Sequence, residues 1–369
     1  MRYILLIFFL GGFSTAAFAQ TTLVKGNSAL ELSGVLLMSY NYRLNDATNL
    51  DYKKNRFMCE NARISVNGVV KNKWEYELQL DLAAIGRPAP NSPLINAYVT
   101  YTGIENLSIK AGYQRVAFSN SSMTPFYYAA YLQRPEMIRG EFFSRRDVGV
   151  SLETDALNQC LTLTAGAYTG LGEASLLGDN DASGQLEYAA RAAYAYPSRY
   201  RYRDYDLTGS PALMFRVGAN GRYANKRSFT GADLLRTIDG EKYLYGGDFC
   251  VQYRHFSAQF ELLQARLQYR NPATLAPFNT TYRQAGGVIA QLNYTIPALR
   301  SGISVRYDDF NPNDLALGDA RPTLSGAYCY FINDYRAMLR LQYWHYLKDS
   351  TATAPWADNQ IRAALQFMF

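Results

Sequence analysis

The chain has 369 residues, a formal net charge of +6, 31 tyrosines, 19 phenylalanines and three tryptophans, with a mean hydropathy of −0.22. That hydropathy, and the lack of a second apolar run after the N-terminal one, exclude a helical membrane protein. The two histidines, His255 and His345, and the four scattered cysteines offer no metal-ligand spacing, so no metal and no cofactor is expected.

Met1-Arg2 forms a basic start, Tyr3 to Phe13 an apolar stretch, and Ala17-Phe18-Ala19 a small-x-small site. The pattern predicts a signal peptide over 1–19, cleaved before Gln20, and hence an exported protein. A membrane anchor would need about 20 apolar residues, more than this run contains. Residues 20–28 read as a short lead-in, and 29–369 as one domain without a linker.

The predicted strands begin with Ala29 to Tyr42, where Leu30, Leu32, Leu36, Met38 and Tyr40 share a face. A second run covers 56–70. The third, Lys73 to Leu82, is the cleanest: Trp74, Tyr76, Leu78, Leu80 and Leu82 alternate with Lys73, Glu75, Glu77, Gln79 and Asp81. Further runs follow at 94–101, 107–114, 145–153, 160–168, 185–196, 212–223, 242–254, 258–269, 282–294, 302–309, 322–332, 336–346 and 360–369. Cys59, Cys160, Cys250 and Cys329 each fall in a strand-like run and read as unpaired small side chains. In the last run Ile361, Ala363, Leu365, Phe367 and Phe369 share one parity. Such an ending resembles the C-terminal strand of bacterial outer-membrane barrels, where a final Phe is a recurrent assembly signal. One greasy and one wet face per strand predict an all-β protein, a transmembrane antiparallel β-barrel of 16 strands. Its partners would then be outer-membrane lipid and, through Phe369, the barrel-assembly machinery.

Connections alternate between short turns and longer loops, as periplasmic turns and extracellular loops do. The turn 197–211, with Pro197 and Pro211, is long where a short one is expected. The third long loop, 115–144, is the longest and carries Phe118, Phe126, Tyr127, Tyr128, Tyr131, Phe142 and Phe143 among its arginines. A loop this aromatic needs a packing partner, so the third extracellular loop is expected to fold into the lumen. Assigning the lipid face by apolar parity puts Arg63, Lys110, Arg191 and Arg306 on the lumen wall, facing inward carboxylates such as Glu75, Asp81, Asp248 and Asp308. The wall is near charge balance. Arg115, Arg134, Arg139, Arg145 and Arg146 in and around the loop supply the excess, and rings of Arg or Lys are how anion pores select.

Several segments, in order, resemble the phosphate-selective porin O/P family: Asn61-Ala62-Arg63-Ile64 with Gly68, Trp74-Glu75-Tyr76 with Asp81, and Asn96-Ala97-Tyr98-Val99. Gly112 to Ser119, Gln133-Arg134, Arg146-Asp147-Val148-Gly149-Val150, Ala189-Ala190-Arg191 and Val305-Arg306-Tyr307-Asp308 extend the resemblance over most of the chain. It implies a sixteen-stranded, usually trimeric outer-membrane porin giving passive diffusion of small hydrophilic solutes, with preference for anions such as phosphate or pyrophosphate. It also implies a constriction at the third loop. Ala117 stands where the family commonly has Pro, and Arg115 where it has Lys.

The rival reading is a non-conducting structural or adhesin-like barrel, which would be silent in a planar bilayer. An enzyme is not expected, because neither histidine has a nearby Ser with an Asp or Asn to orient it. Arg199-Tyr200-Arg201-Tyr202-Arg203 would suggest nucleic acid on a soluble protein. On an exported barrel it reads instead as a solvated periplasmic rim or a subunit contact, with no nucleic acid partner.

Overall fold

The computed structural model describes residues 21–44, 55–85, 92–139, 142–177, 180–227, 238–316, 318–347 and 359–369. The expected signal peptide lies outside them. The strands are β1 Thr21–Lys25, β2 Ser28–Arg43, β3 Asn55–Val70, β4 Trp74–Asp81, β5 Leu94–Ile104, β6 Leu107–Arg115, β7 Arg146–Ala156, β8 Leu161–Tyr168 and β9 Glu187–Tyr196. They continue as β10 Met214–Arg227, β11 Asp239–Tyr253, β12 Phe256–Tyr269, β13 Arg283–Ile296, β14 Ser301–Asn311, β15 Thr323–Asn333, β16 Ala337–Tyr346 and β17 Gln360–Met368. From β2 to β17 each strand pairs antiparallel with the next, and β17 returns to β2, closing a barrel of sixteen. Closure removes the sheet edges, which a lipid environment requires because it offers no water to an unpaired backbone group.

Alternation sorts the side chains as the sequence predicts, and in the reverse sense to a water-soluble protein. On β14 Val305 is 55% exposed and points outward, while neighbouring Arg306 is 3% exposed and points inward. The upper part of β12 departs from this: Leu263, Ala265 and Leu267 point inward and are buried, whereas Gln264, Arg266 and Gln268 point outward. There the strand has left the greasy band, and its inner face packs against Met137, Ile138, Phe142 and Phe143 of the long loop in one apolar cluster.

Short turns join the strands at the end where β2 begins and β17 finishes. Lys71-Asn72 and Arg254-His255 are pairs with positive φ, the two-residue geometry whose twist matches a hairpin. Among the described residues, the four cysteines form no disulfide.

The expected lead-in carries β1, and its role is geometric. β2 has sixteen residues and β17 only nine, so β17 pairs with Val35 to Arg43 and leaves the lower edge of β2 open. β1 covers that edge, pairing Thr21–Lys25 with Leu32–Ser28. The junction is Phe369, whose N–H donates to the Gly34 carbonyl at 3.0 Å while its carbonyl accepts from the Gly34 N–H at 2.8 Å. The ring lies over Gly34 so closely that a Cβ there would sit 2.3 Å from it. A side chain at 34 would have to displace that ring.

Deleting Phe369 removes both bonds, each worth about 0.5–1.5 kcal/mol net, and uncovers the seam. The folded, heat-modifiable fraction recovered in membranes should fall, and Gly34→Leu should lower it as well by displacing the ring. Unchanged folded levels in both variants would show that the seam tolerates an open junction.

Candidate functional site

The loop between β6 and β7 holds a one-turn helix, α1 (Asn120–Met123), and two tight 3-10 turns at Phe126–Tyr128 and Glu136–Ile138. Ser119 caps α1, its hydroxyl accepting from the Ser122 N–H at 3.1 Å. The loop is tied to inward-facing residues of many strands. Its Ser119, Ser121, Leu132 and Glu136 N–H groups donate to Asn220 (2.8 Å), Glu261 (3.1 Å), Gln342 (3.0 Å) and Asp308 (3.2 Å). Tyr131 donates to the Ser325 carbonyl at 2.9 Å, and Gln366 and Arg222 donate to the Tyr127 and Ser144 carbonyls at 3.2 and 2.7 Å. The anchors fall on β10, β12 and β14 to β17.

The turn 197–211 reaches the same anchored segment from the opposite end, which corrects the reading of it as a solvated rim. Alternation explains the placement: Tyr202 and Asp204 are buried, while Arg199, Arg201 and Arg203 face away, exposed. Asp204 accepts from the Ala130 N–H at 2.7 Å and from the Gln291 amide at 2.8 Å, and its own N–H donates to the Tyr128 carbonyl at 3.2 Å. Tyr205 donates its N–H to Tyr335, whose hydroxyl in turn donates to the Tyr205 carbonyl, both at 2.8 Å. The Tyr205 ring fills the space a side chain at Gly302 would need. Burial pushes the Asp204 carboxyl above its ordinary range, opposed by the Ala130 and Gln291 donors and by Arg306 and Arg340.

The arginines singled out from the sequence divide into two sets. In the first, carboxylates compensate the charge: Arg191 pairs with Asp248 (2.6 Å), Arg306 with Asp308 (3.0 Å), Arg63 with Asp81 (3.3 Å), and Arg139 with Glu136. Arg139 also meets the Gln133 amide oxygen at 2.8 Å when that amide is oriented to accept. In the second set the partners are neutral. Arg115 donates to the Ser122 carbonyl at 3.1 Å and to that of Met123, and Arg134 to the Thr124 carbonyl at 2.6 Å and to that of Ser121. Arg146 donates to Asn96 at 3.0 Å, and Lys110 lies 4.6 Å from the centroid of the Tyr98 ring. Arg145 has no side-chain hydrogen bond or ion pair among the described residues.

Arg115 and Arg134 thus clasp the carbonyl end of α1, a placement that uses some of their donors and leaves their charge intact. The second set converges. Burial and then Arg145, Arg115, Arg146 and Arg63 press the Arg134 guanidinium well below its usual range, and burial with Arg115 and Arg63 brings Arg145 down to about 10. A guanidinium keeps its charge in a protein, and the mutual repulsion of these arginines is what a nearby anion would relieve.

Sequence reasoning missed Arg201 and Arg203. Arg203 lies 4.5 Å from the Tyr128 ring centroid, and Arg201 has no hydrogen bond or ion pair among the described residues. The available signal was the strict Arg/Tyr alternation inside a turn longer than its neighbours.

A closed barrel with an apolar outer band and an inward face dense in arginine defines the class of outer-membrane porins. The chain belongs to the phosphate-selective porin O and P family, whose model matches residues 36–369. Among solved structures it is similar to an anion-selective porin from Comamonas acidovorans, with a TM-score of 0.60 and 11% identity over 93% of this chain and 100% of that one. It is also similar to the trimer form of in-vitro folded OmpT from Vibrio cholerae (0.59, 10%, covering 93% and 100%). The outer membrane channel DcaP of Acinetobacter baumannii gives 0.56 at 14% identity, covering 94% and 99%. At these identities the likeness is one of fold. No curated protein matches the chain.

Asp204→Ala should loosen both the loop and the turn, because it strands two buried donors at about 1–3 kcal/mol each. The heat-modification temperature should fall and open-channel noise rise, with Asp204→Asn less affected since it keeps one acceptor oxygen. The raised carboxyl binds its proton more tightly in the native state. Its contribution is therefore full below its ordinary 3.8 and is lost as pH rises through the folded value. Wild type should lose stability relative to Asp204→Asn over that window.

Proposed function

We propose that this porin is an anion-favouring diffusion channel, with the 115–144 loop lying across the lumen as its constriction. The observation that carries the reading is the division of charges: paired arginines such as Arg191 and Arg306 lie on strands that anchor the loop or adjoin those that do. The guanidiniums with neutral partners, Arg115, Arg134 and Arg146, gather with Arg145 between the loop and the β3 to β7 wall. Arg201 and Arg203 continue the same sign toward the end that holds the termini. An anion crossing would meet uncompensated cations in succession, each worth roughly 1 kcal/mol at about 4 Å in water and about 4 at an intermediate dielectric. Those magnitudes bias anions over cations and still allow release. Phosphate and pyrophosphate fit the guanidinium fork, and the family's description agrees with them.

A non-conducting barrel would have no use for charges held without counter-ions beside a lumen, since leaving them unpaired costs stability. Arg145→Glu combined with Arg201→Glu should shift the reversal potential in asymmetric KCl toward cations, lowering the permeability ratio by about tenfold, the equivalent of 1.4 kcal/mol. Arg199→Glu should change it less, because Arg199 already pairs with Glu153 (2.7 Å) and Asp155 (2.8 Å). Equal shifts in the two variants, or none, would remove the basis for this site.

The trimer form reported for the OmpT structure supports a homotrimer here too. Native mass spectrometry of the detergent-extracted protein should give three copies, and a monomer would refute it.

A further inference from the structure

Three consecutive rings, Phe126, Tyr127 and Tyr128, form a band between guanidiniums. Successive centroids are 5.4 and 4.7 Å apart, and Tyr335 continues the band 5.2 Å beyond Tyr128, each contact edge to face. Arg63 lies 4.6 Å from the Phe126 centroid and Arg203 4.5 Å from that of Tyr128. Arg115 and Arg201 both act on the Tyr127 phenol, which burial raises and these two cations oppose. Tyr127 and Tyr128 also pack against apolar clusters, but less completely than the loop's phenylalanines. Phe118, Phe142 and Phe143 are at most 2% exposed in an apolar cluster, whereas Tyr127 and Tyr128 are half-buried, and among the described residues neither hydroxyl has a hydrogen-bond partner.

Holding ring surface at the water boundary costs free energy unless something covers it. An inorganic anion would not, since it needs only N–H donors. A carboxylate attached to a flat apolar ring would use both features, its oxygens on Arg115 or Arg201 and its ring against the edge or face of Tyr127. We propose that, among organic anions, the passage favours flat-faced carboxylates, aromatic ones above all, over small aliphatic acids of the same charge. The proposal deepens the anion-channel reading and rests on it.

The test uses the full-length protein in planar bilayers. Chloride current is measured while benzoate or acetate is added, and the reversal potential in asymmetric KCl is recorded on the same channels. Benzoate should block at a concentration about five- to tenfold below acetate, the range an aromatic contact supplies. Tyr127→Leu should bring the benzoate-to-acetate ratio close to one, and Tyr127→Phe, which keeps the ring, should retain it. Anion selectivity with equal block by benzoate and acetate in the wild type would overturn this proposal alone. Absence of anion selectivity in KCl would instead overturn the reading beneath it. A benzoate advantage that survives Tyr127→Leu would show that the ring band is packing.

Discussion

Backbone pairing at the seam between β17 and β2 is the constraint on which the rest depends. In a bilayer every N–H and C=O must find a partner within the protein, so a sheet persists only if it closes. Here closure is uneven: a nine-residue last strand meets a sixteen-residue first one, and β1 with the Phe369–Gly34 junction makes up the difference. Once the sheet is closed, the two faces of each strand become a lipid face and an interior. Every charge in a strand is then committed to one side.

Inward-facing side chains are engaged by two connecting segments. The loop after β6 and the turn after β9 meet at Ala130 and Asp204, and both bind the inward side chains of strands β10 to β17. That leaves β3 to β7 as the wall along which Arg63, Lys110 and Arg146 stand. Ion pairs on the filled side answer the cost of burying charge, because a buried guanidinium without a counter-ion is expensive and Arg191 and Arg222 each have one. Where neutral carbonyls are the partners, as for Arg115 and Arg134, some of the donors are used and the charge is left over. Hydrogen bonding and charge compensation are separate conditions, and at these two residues no ion pair supplies the second.

Arginine suits this division better than lysine would. Its planar fork can spend some N–H groups on backbone carbonyls and present others, and it stays charged when buried among like charges. The aromatic rings beside it serve the same economy of contacts, since a guanidinium over a ring is stabilised without losing its positive sign.

The sequence by itself determined the sixteen strands of the barrel, the faces that most of them turn to lipid and water, the terminal aromatic and the inward set of arginines and carboxylates, but not β1. These follow from a two-residue period and from turn lengths, both local properties that lipid and water read directly. Only the tertiary structure decided which inward arginines keep an uncompensated charge. Arg191 meets Asp248 57 residues away and Arg306 meets the Gln133 carbonyl 173 residues away, contacts that depend on register and on where a loop lands. Arg139 looked the same as Arg134 in sequence, and a neighbouring Glu136 separates them in space. The inward course of the 197–211 turn was likewise undecided until Tyr202, Asp204 and Tyr205 found a wall to bury against. An alternating Arg/Tyr run has two faces in any setting, and what covers the tyrosines is fixed only by the closed barrel around them.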